Sequence, residues 1–66
     1  MSLGGFMPMS GKAMKKLYET FGWSELRQNG SHVIMGKDGM RETIPMHKEL
    51  KKGLEKSLLK RLGVKK

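Results

Sequence analysis

The chain has 66 residues and a net charge of +8, with 14 Lys and Arg against 6 Asp and Glu, and no cysteine. That length allows one small domain burying only about 60% of its unfolded surface. With no disulfide or thiolate-held metal to reinforce it, a partner chain is expected, either an identical copy in a homodimer or a different protein.

The longest clearly apolar run, Val33-Ile34-Met35, is far short of the roughly 20 residues of a spanning helix, so no membrane role is expected. Residues 1–9 read as a flexible leader and residues 10–66 as a single domain, cytoplasmic by expectation. Charge is uneven: residues 1–19 carry +2, residues 20–47 are neutral, and residues 48–66 carry +6. Positive ends around a neutral middle suit a polyanion gripped at the periphery and processed at the centre; the alternative is a solubilising surface with no ligand.

Ser10 is an N-cap residue, and Met14, Leu17, Tyr18 and Phe21 then fall at i, i+3, i+4 and i+7, which predicts an amphipathic helix over roughly 11–21. Gly22 stands where that helix calls for a left-handed residue. The stretch from Trp23 to Gln28 leads to Asn29-Gly30, a two-residue hairpin signal. Ser31 to Lys37 follows, then Asp38-Gly39, a second such signal, and Met40 to Ile44, stopped by Pro45. Leu54, Leu58, Leu59 and Leu62 then repeat at helical spacing until Gly63. The order α-β-β-β-α predicts an α+β domain, a three-stranded antiparallel sheet with two helices on one face.

Turn positions predict which side chains share a face. With Asn29-Gly30 as the first turn, Arg27 stands opposite His32 and Leu26 opposite Val33. With Asp38-Gly39 as the second, Val33 stands opposite Ile44 and Ile34 opposite Thr43. Leu26, Val33, Met35 and Ile44 are then the core face. Arg27, His32, Ile34, Arg41 and Thr43 are the helix-free face, with His32 near two arginines.

That face suits RNA cleavage, in which the substrate brings its own 2′-hydroxyl nucleophile. A histidine serves the proton work because its unperturbed pKa, about 6.5, lies near working pH. Arg27 and Arg41 can stabilise phosphorane charge. Dispersed Glu25, Asp38 and Glu42 do not suggest a two-metal site, and two histidines without cysteine do not suggest zinc, so no metal or cofactor is expected. Ser31 and His32 are neighbours on a strand and point to opposite faces, which spoils a Ser–His pair. Taken alone, a single histidine on a strand is more often structural. His47, two residues after Pro45, likewise reads more often as a loop residue capping the entry to the last helix, and a basic tail is more often a solvated helix face than an RNA grip.

The ordered set Phe21-Gly22-Trp23, Arg27-Gln28-Asn29-Gly30-Ser31-His32, Asp38-Gly39 and Ile44-Pro45-Met46-His47-Lys48 resembles the HicA family of toxin–antitoxin systems. Leu50-Lys51-Lys52-Gly53, Ser57-Leu58-Leu59-Lys60 and Leu62-Gly63 extend the likeness over roughly residues 10–64. Glu55 stands where an apolar residue is common in that family. The resemblance implies a double-stranded-RNA-binding-domain-like fold and an mRNA interferase, a metal-independent endoribonuclease that cleaves mRNA and halts translation. It implies His32 of Gly30-Ser31-His32 as the catalytic residue, Gly30 and Ser31 as the turn that positions it, and a HicB-type antitoxin as partner. Lys12, Arg27, Arg41 and Lys48 are candidate RNA contacts, and His47 is a candidate for the second proton transfer. The competing reading is a non-catalytic RNA-binding module of the same fold; a third is a structural partner docking its basic helix on an acidic protein.

Overall fold

A computed structural model describes residues 8–63 of the chain. Helix α1 spans Gly11–Thr20, strands β1, β2 and β3 span Ser24–Asn29, His32–Lys37 and Met40–Pro45, and helix α2 spans Lys52–Leu62. The strands form one antiparallel sheet in the order β1-β2-β3, so the α+β class and the element order expected from the sequence hold. No helix among the described residues is long and apolar enough to cross a membrane.

The caps of α1 follow from its flanking residues. The Ser10 hydroxyl oxygen accepts from the Ala13 N–H at 3.0 Å, satisfying one of the donors a helix start leaves free. At the other end, Gly22 takes a φ of +92°. The Gly22 N–H then reaches the Glu19 carbonyl and the Trp23 N–H the Tyr18 carbonyl, each at 3.0 Å. This double closure carries its usual apolar contact, here Tyr18 against Trp23 edge to face at 4.9 Å. Phe21, expected on the buried stripe, is 40% exposed because the chain has already left the helical path there. Gly63 ends α2 with a φ of +84°.

Val33 and Met35 of β2 and Ile44 of β3 point to one face of the sheet. They share a single core with Met14 and Tyr18 of α1, Trp23, Leu50, and Leu58 and Leu59 of α2. Both helices therefore cover that one face. Inside the core the Tyr18 hydroxyl donates to the Leu58 carbonyl at 2.9 Å, tying the two helices together. Burial, foremost, and the nearby Glu42 carboxylate push the Tyr18 pKa up to about 12, with Arg61 opposing.

The second hairpin has the expected turn: Asp38 and Gly39 both take positive φ, 49° and 83°, and Lys37 pairs with Met40. The first hairpin differs. Its loop is Gly30-Ser31, so Asn29 pairs with His32 and Arg27 with Ile34. Only Gly30 has positive φ, 63°, the pattern of a type II′ turn. Two hydrogen bonds accompany this register: the Gln28 amide donates to the Gly30 carbonyl at 3.0 Å, and the Met46 N–H to the Ser31 carbonyl at 2.6 Å.

A bulge between Glu25 and Arg27 absorbs an extra residue, Leu26. Leu26 therefore leaves the core face to which the sequence reading assigned it. It is 52% exposed and lies across Gly36, where a Cβ would come within 2.6 Å of the Leu26 Cδ1. Trp23, just ahead of β1, is buried in the core instead.

Candidate functional site

His32 is the first residue of β2, directly after the Gly30-Ser31 turn. Strand parity places it with Ile34, on the face opposite Val33 and Met35 and hence away from both helices. It is exposed, and among the described residues its imidazole has no hydrogen-bond partner.

Across the sheet His32 faces Asn29 on one side and Pro45 on the other. The expected direct Arg27–His32 pair does not form, because the true turn lies one residue later and moves the register by two. Arg27 sits one step diagonally away, on the same open face. Arg41 pairs with Gly36, four residues along β2 from His32, or about 13 Å at the rise of a strand. It is therefore not a neighbour of the histidine, and the expectation of two nearby arginines is corrected to one.

What surrounds His32 instead comes from elsewhere in the chain. The Met46 N–H on the Ser31 carbonyl joins the β1–β2 turn to the loop after β3. The Gly11 N–H donates to the His47 carbonyl at 2.9 Å, which brings in the first turn of α1. The Leu50 N–H donates to the Met9 carbonyl at 2.8 Å, and the Met9 N–H to the Glu55 carboxylate at 3.1 Å. Met9, assigned to a flexible leader, is thus held at both backbone groups; residues 1–7 of that leader lie outside the described residues. Glu55 of α2 is the acceptor of this last bond.

These contacts gather His32, His47, Lys12, Lys48 and Lys51 at one end of the molecule. All five are exposed, and no carboxylate lies within ion-pair distance of any of these lysines among the described residues. Close approach depends on Gly11: a Cβ there would fall 1.9 Å from the Pro45 carbonyl oxygen. The candidate contacts Lys12 and Lys48 lie at this end, whereas Arg41 does not. Sequence reasoning missed Asn29 as the residue opposite His32 and Lys51 as part of the group.

Elsewhere three carboxylates form ion pairs. Glu19 and Glu25 both lie on Lys15, at 3.4 and 2.9 Å, and raise its pKa, the Glu25 hydrogen bond being the main cause. Glu42 pairs with Arg61. No group of three or more His, Cys, Asp or Glu side chains that could hold a metal ion occurs among the described residues.

An exposed imidazole beside unpaired cations, on a face no helix covers, can exchange protons with a bound phosphodiester and neutralise its charge. Comparison with known proteins relates the chain to toxins of toxin–antitoxin systems. The family model described as the HicA toxin of bacterial toxin-antitoxin systems matches residues 11–64. A solved structure, the "Toxin-Antitoxin complex from Streptococcus pneumoniae", contains a chain 41% identical to this one. The two superpose with a TM-score of 0.73, covering 86% of this chain and 100% of that one. Comparison with curated proteins finds no match.

Proposed function

We propose, for a chain that belongs to the HicA toxin family, that it is a metal-independent endoribonuclease cleaving mRNA in the cytoplasm, with His32 as its catalytic residue. The observation that carries this reading is an exposed histidine, set by a tight turn on the helix-free face, where a single RNA strand has access.

In this reaction the 2′-oxygen of the RNA attacks the adjacent phosphorus and the bond from phosphorus to the 5′-oxygen breaks. One proton leaves the 2′-hydroxyl and one must reach the departing 5′-oxygen. The products are a 2′,3′-cyclic phosphate and a 5′-hydroxyl. The nucleophile belongs to the substrate, so the protein need supply only proton transfer and positive charge. His32 takes the first proton, and His47, at the same end of the fold, is the candidate for the second. Arg27, Lys12 and Lys48 are positioned to meet the phosphate charge; Arg41, farther along the sheet, is a candidate contact for RNA beyond the scissile bond.

The chain in the similar solved structure is part of a toxin–antitoxin complex. That supports an antitoxin partner for this chain, of HicB type, covering the face on which His32 lies.

The test is cleavage of RNA in the presence of EDTA. The parent protein should degrade RNA and leave cyclic phosphate ends, while His32→Ala should bind RNA and leave it intact. Equal survival of RNA with both proteins would favour the non-catalytic binding module.

A further inference from the structure

Helix α2 starts at the His32 end, where Leu50 bonds Met9, and runs back until Arg61 meets Glu42 midway along β3. Its apolar positions Leu54, Leu58, Leu59 and Leu62 turn to the core. Lys52, Lys56 and Lys60 are exposed and recur every four residues, so they form one row stepping about 6 Å at a time along the helix. None has a carboxylate partner among the described residues. The acid on this helix, Glu55, is engaged with the Met9 N–H.

Such a row is not what solvation alone calls for. Like charges four residues apart destabilise a helix, and a merely soluble face alternates Glu with Lys. Lys52 also adds positive charge at the positive end of the helix dipole, where an acidic residue is favoured. Lys51, the N-cap residue, compounds this and makes no side-chain capping bond. An external polyanion relieves both conflicts at once. The row's spacing is comparable to that of successive phosphates along an extended RNA strand, and its first lysine lies next to the cations at the His32 end.

We propose that Lys52, Lys56 and Lys60 are a phosphate-tracking ridge that holds single-stranded RNA as it leaves the His32 end. The ridge rests on the ribonuclease reading and adds a second binding segment that reads backbone charge, not base identity. It makes the affinity of the protein depend on RNA length.

The experiment uses the His32→Ala protein, so that RNA survives, with and without Lys52→Gln, Lys56→Gln and Lys60→Gln together. The probes are oligouridylates of about 4 and about 12 nucleotides, a range typical of single-strand sites. Loss of three phosphate contacts should flatten the slope of log affinity against log salt by about 2 for the longer RNA, at about 0.7 per phosphate. The preference for the longer RNA should largely disappear. The corresponding triple Arg variant should keep both slope and preference. Because removing like charges relieves the helix, the Gln variant should melt no lower than its parent, so loss of binding cannot be ascribed to unfolding.

An unchanged slope and an unchanged length preference, in a protein whose His32 form still cuts RNA, would overturn the ridge alone and leave α2 as a surface for an acidic protein. Binding of neither RNA by the His32→Ala protein would overturn the ribonuclease reading and the ridge with it.

Discussion

Replacing Gly11 with Ala is a demanding test of how the His32 end is held together. Helix propensity favours Ala over Gly by about 1 kcal/mol, so a reading confined to α1 predicts a gain. The tertiary structure predicts a loss. The new Cβ would meet the Pro45 carbonyl oxygen at 1.9 Å and the Met46 Cα and Pro45 carbonyl carbon at 2.8 Å. All three are backbone atoms and have no rotamer to escape into. Relief requires α1 to move off the end of β3, which breaks the 2.9 Å bond from the Gly11 N–H to the His47 carbonyl. Overpacking costs about 1–3 kcal/mol and a lost buried hydrogen bond about 1 kcal/mol. Set against the propensity gain of about 1 kcal/mol, the net is a destabilisation of about 1–3 kcal/mol, which lowers the melting temperature of a domain this small by about 5 °C or more. Gly53→Ala is the matched control. It lies in α2 with nothing within 4 Å of the new Cβ, so it should stabilise by up to about 1 kcal/mol. Thermal melts of both variants followed by circular dichroism decide the matter. A Gly11→Ala protein melting at or above the parent would refute the argument.

Three other perturbations have expected outcomes. Tyr18, raised to about 12 in the folded chain against about 10 when unfolded, stays protonated longer when folded. Its stabilisation is therefore complete below pH 10 and falls away as pH rises to about 12, by about 2–3 kcal/mol. Denaturant titrations across that range should show the fall, and Tyr18→Phe should remove this dependence while losing about 1 kcal/mol with the Leu58 bond. Gly36→Ala meets the side chain of Leu26, which is exposed and able to turn aside, so it should cost under about 1 kcal/mol and less still in a Leu26→Ala background. A double-mutant cycle measures that coupling. Arg41→Ala should leave cleavage of a minimal dinucleotide substrate unchanged, since the residue stands about 13 Å along the sheet from His32; Arg27→Ala should slow it.

Local chemistry was enough for much of the fold. The caps at Ser10 and Gly22, the Asp38-Gly39 turn and the leucine spacing of α2 each depend on residues within a few positions of one another, and each forms as expected. The face of His32 was legible too, for an instructive reason. The first turn falls at Gly30-Ser31 and not at Asn29-Gly30, yet a register change of two residues leaves every side chain of β2 on its own side. The face assignment therefore survived a wrong turn, while the identity of the residue opposite His32 did not.

What tertiary structure alone decided is whatever depends on bonds between distant segments. Asn29-Gly30 and Gly30-Ser31 are both competent turns by local preference, and the observed one occurs together with the Met46 bond to Ser31, fifteen residues apart in sequence. The bulge lets the Leu26 side chain lie over Gly36 across the sheet. Lys12, Lys48 and His47 carry no sign in their own neighbourhoods that they lie with His32; Gly11 against Pro45 and His47, and Met9 against Leu50, bring them there. From its residues the chain determined a histidine on an open sheet face. Long-range backbone contacts determined which charges stand beside it, because no single-segment preference can specify where two distant loops meet.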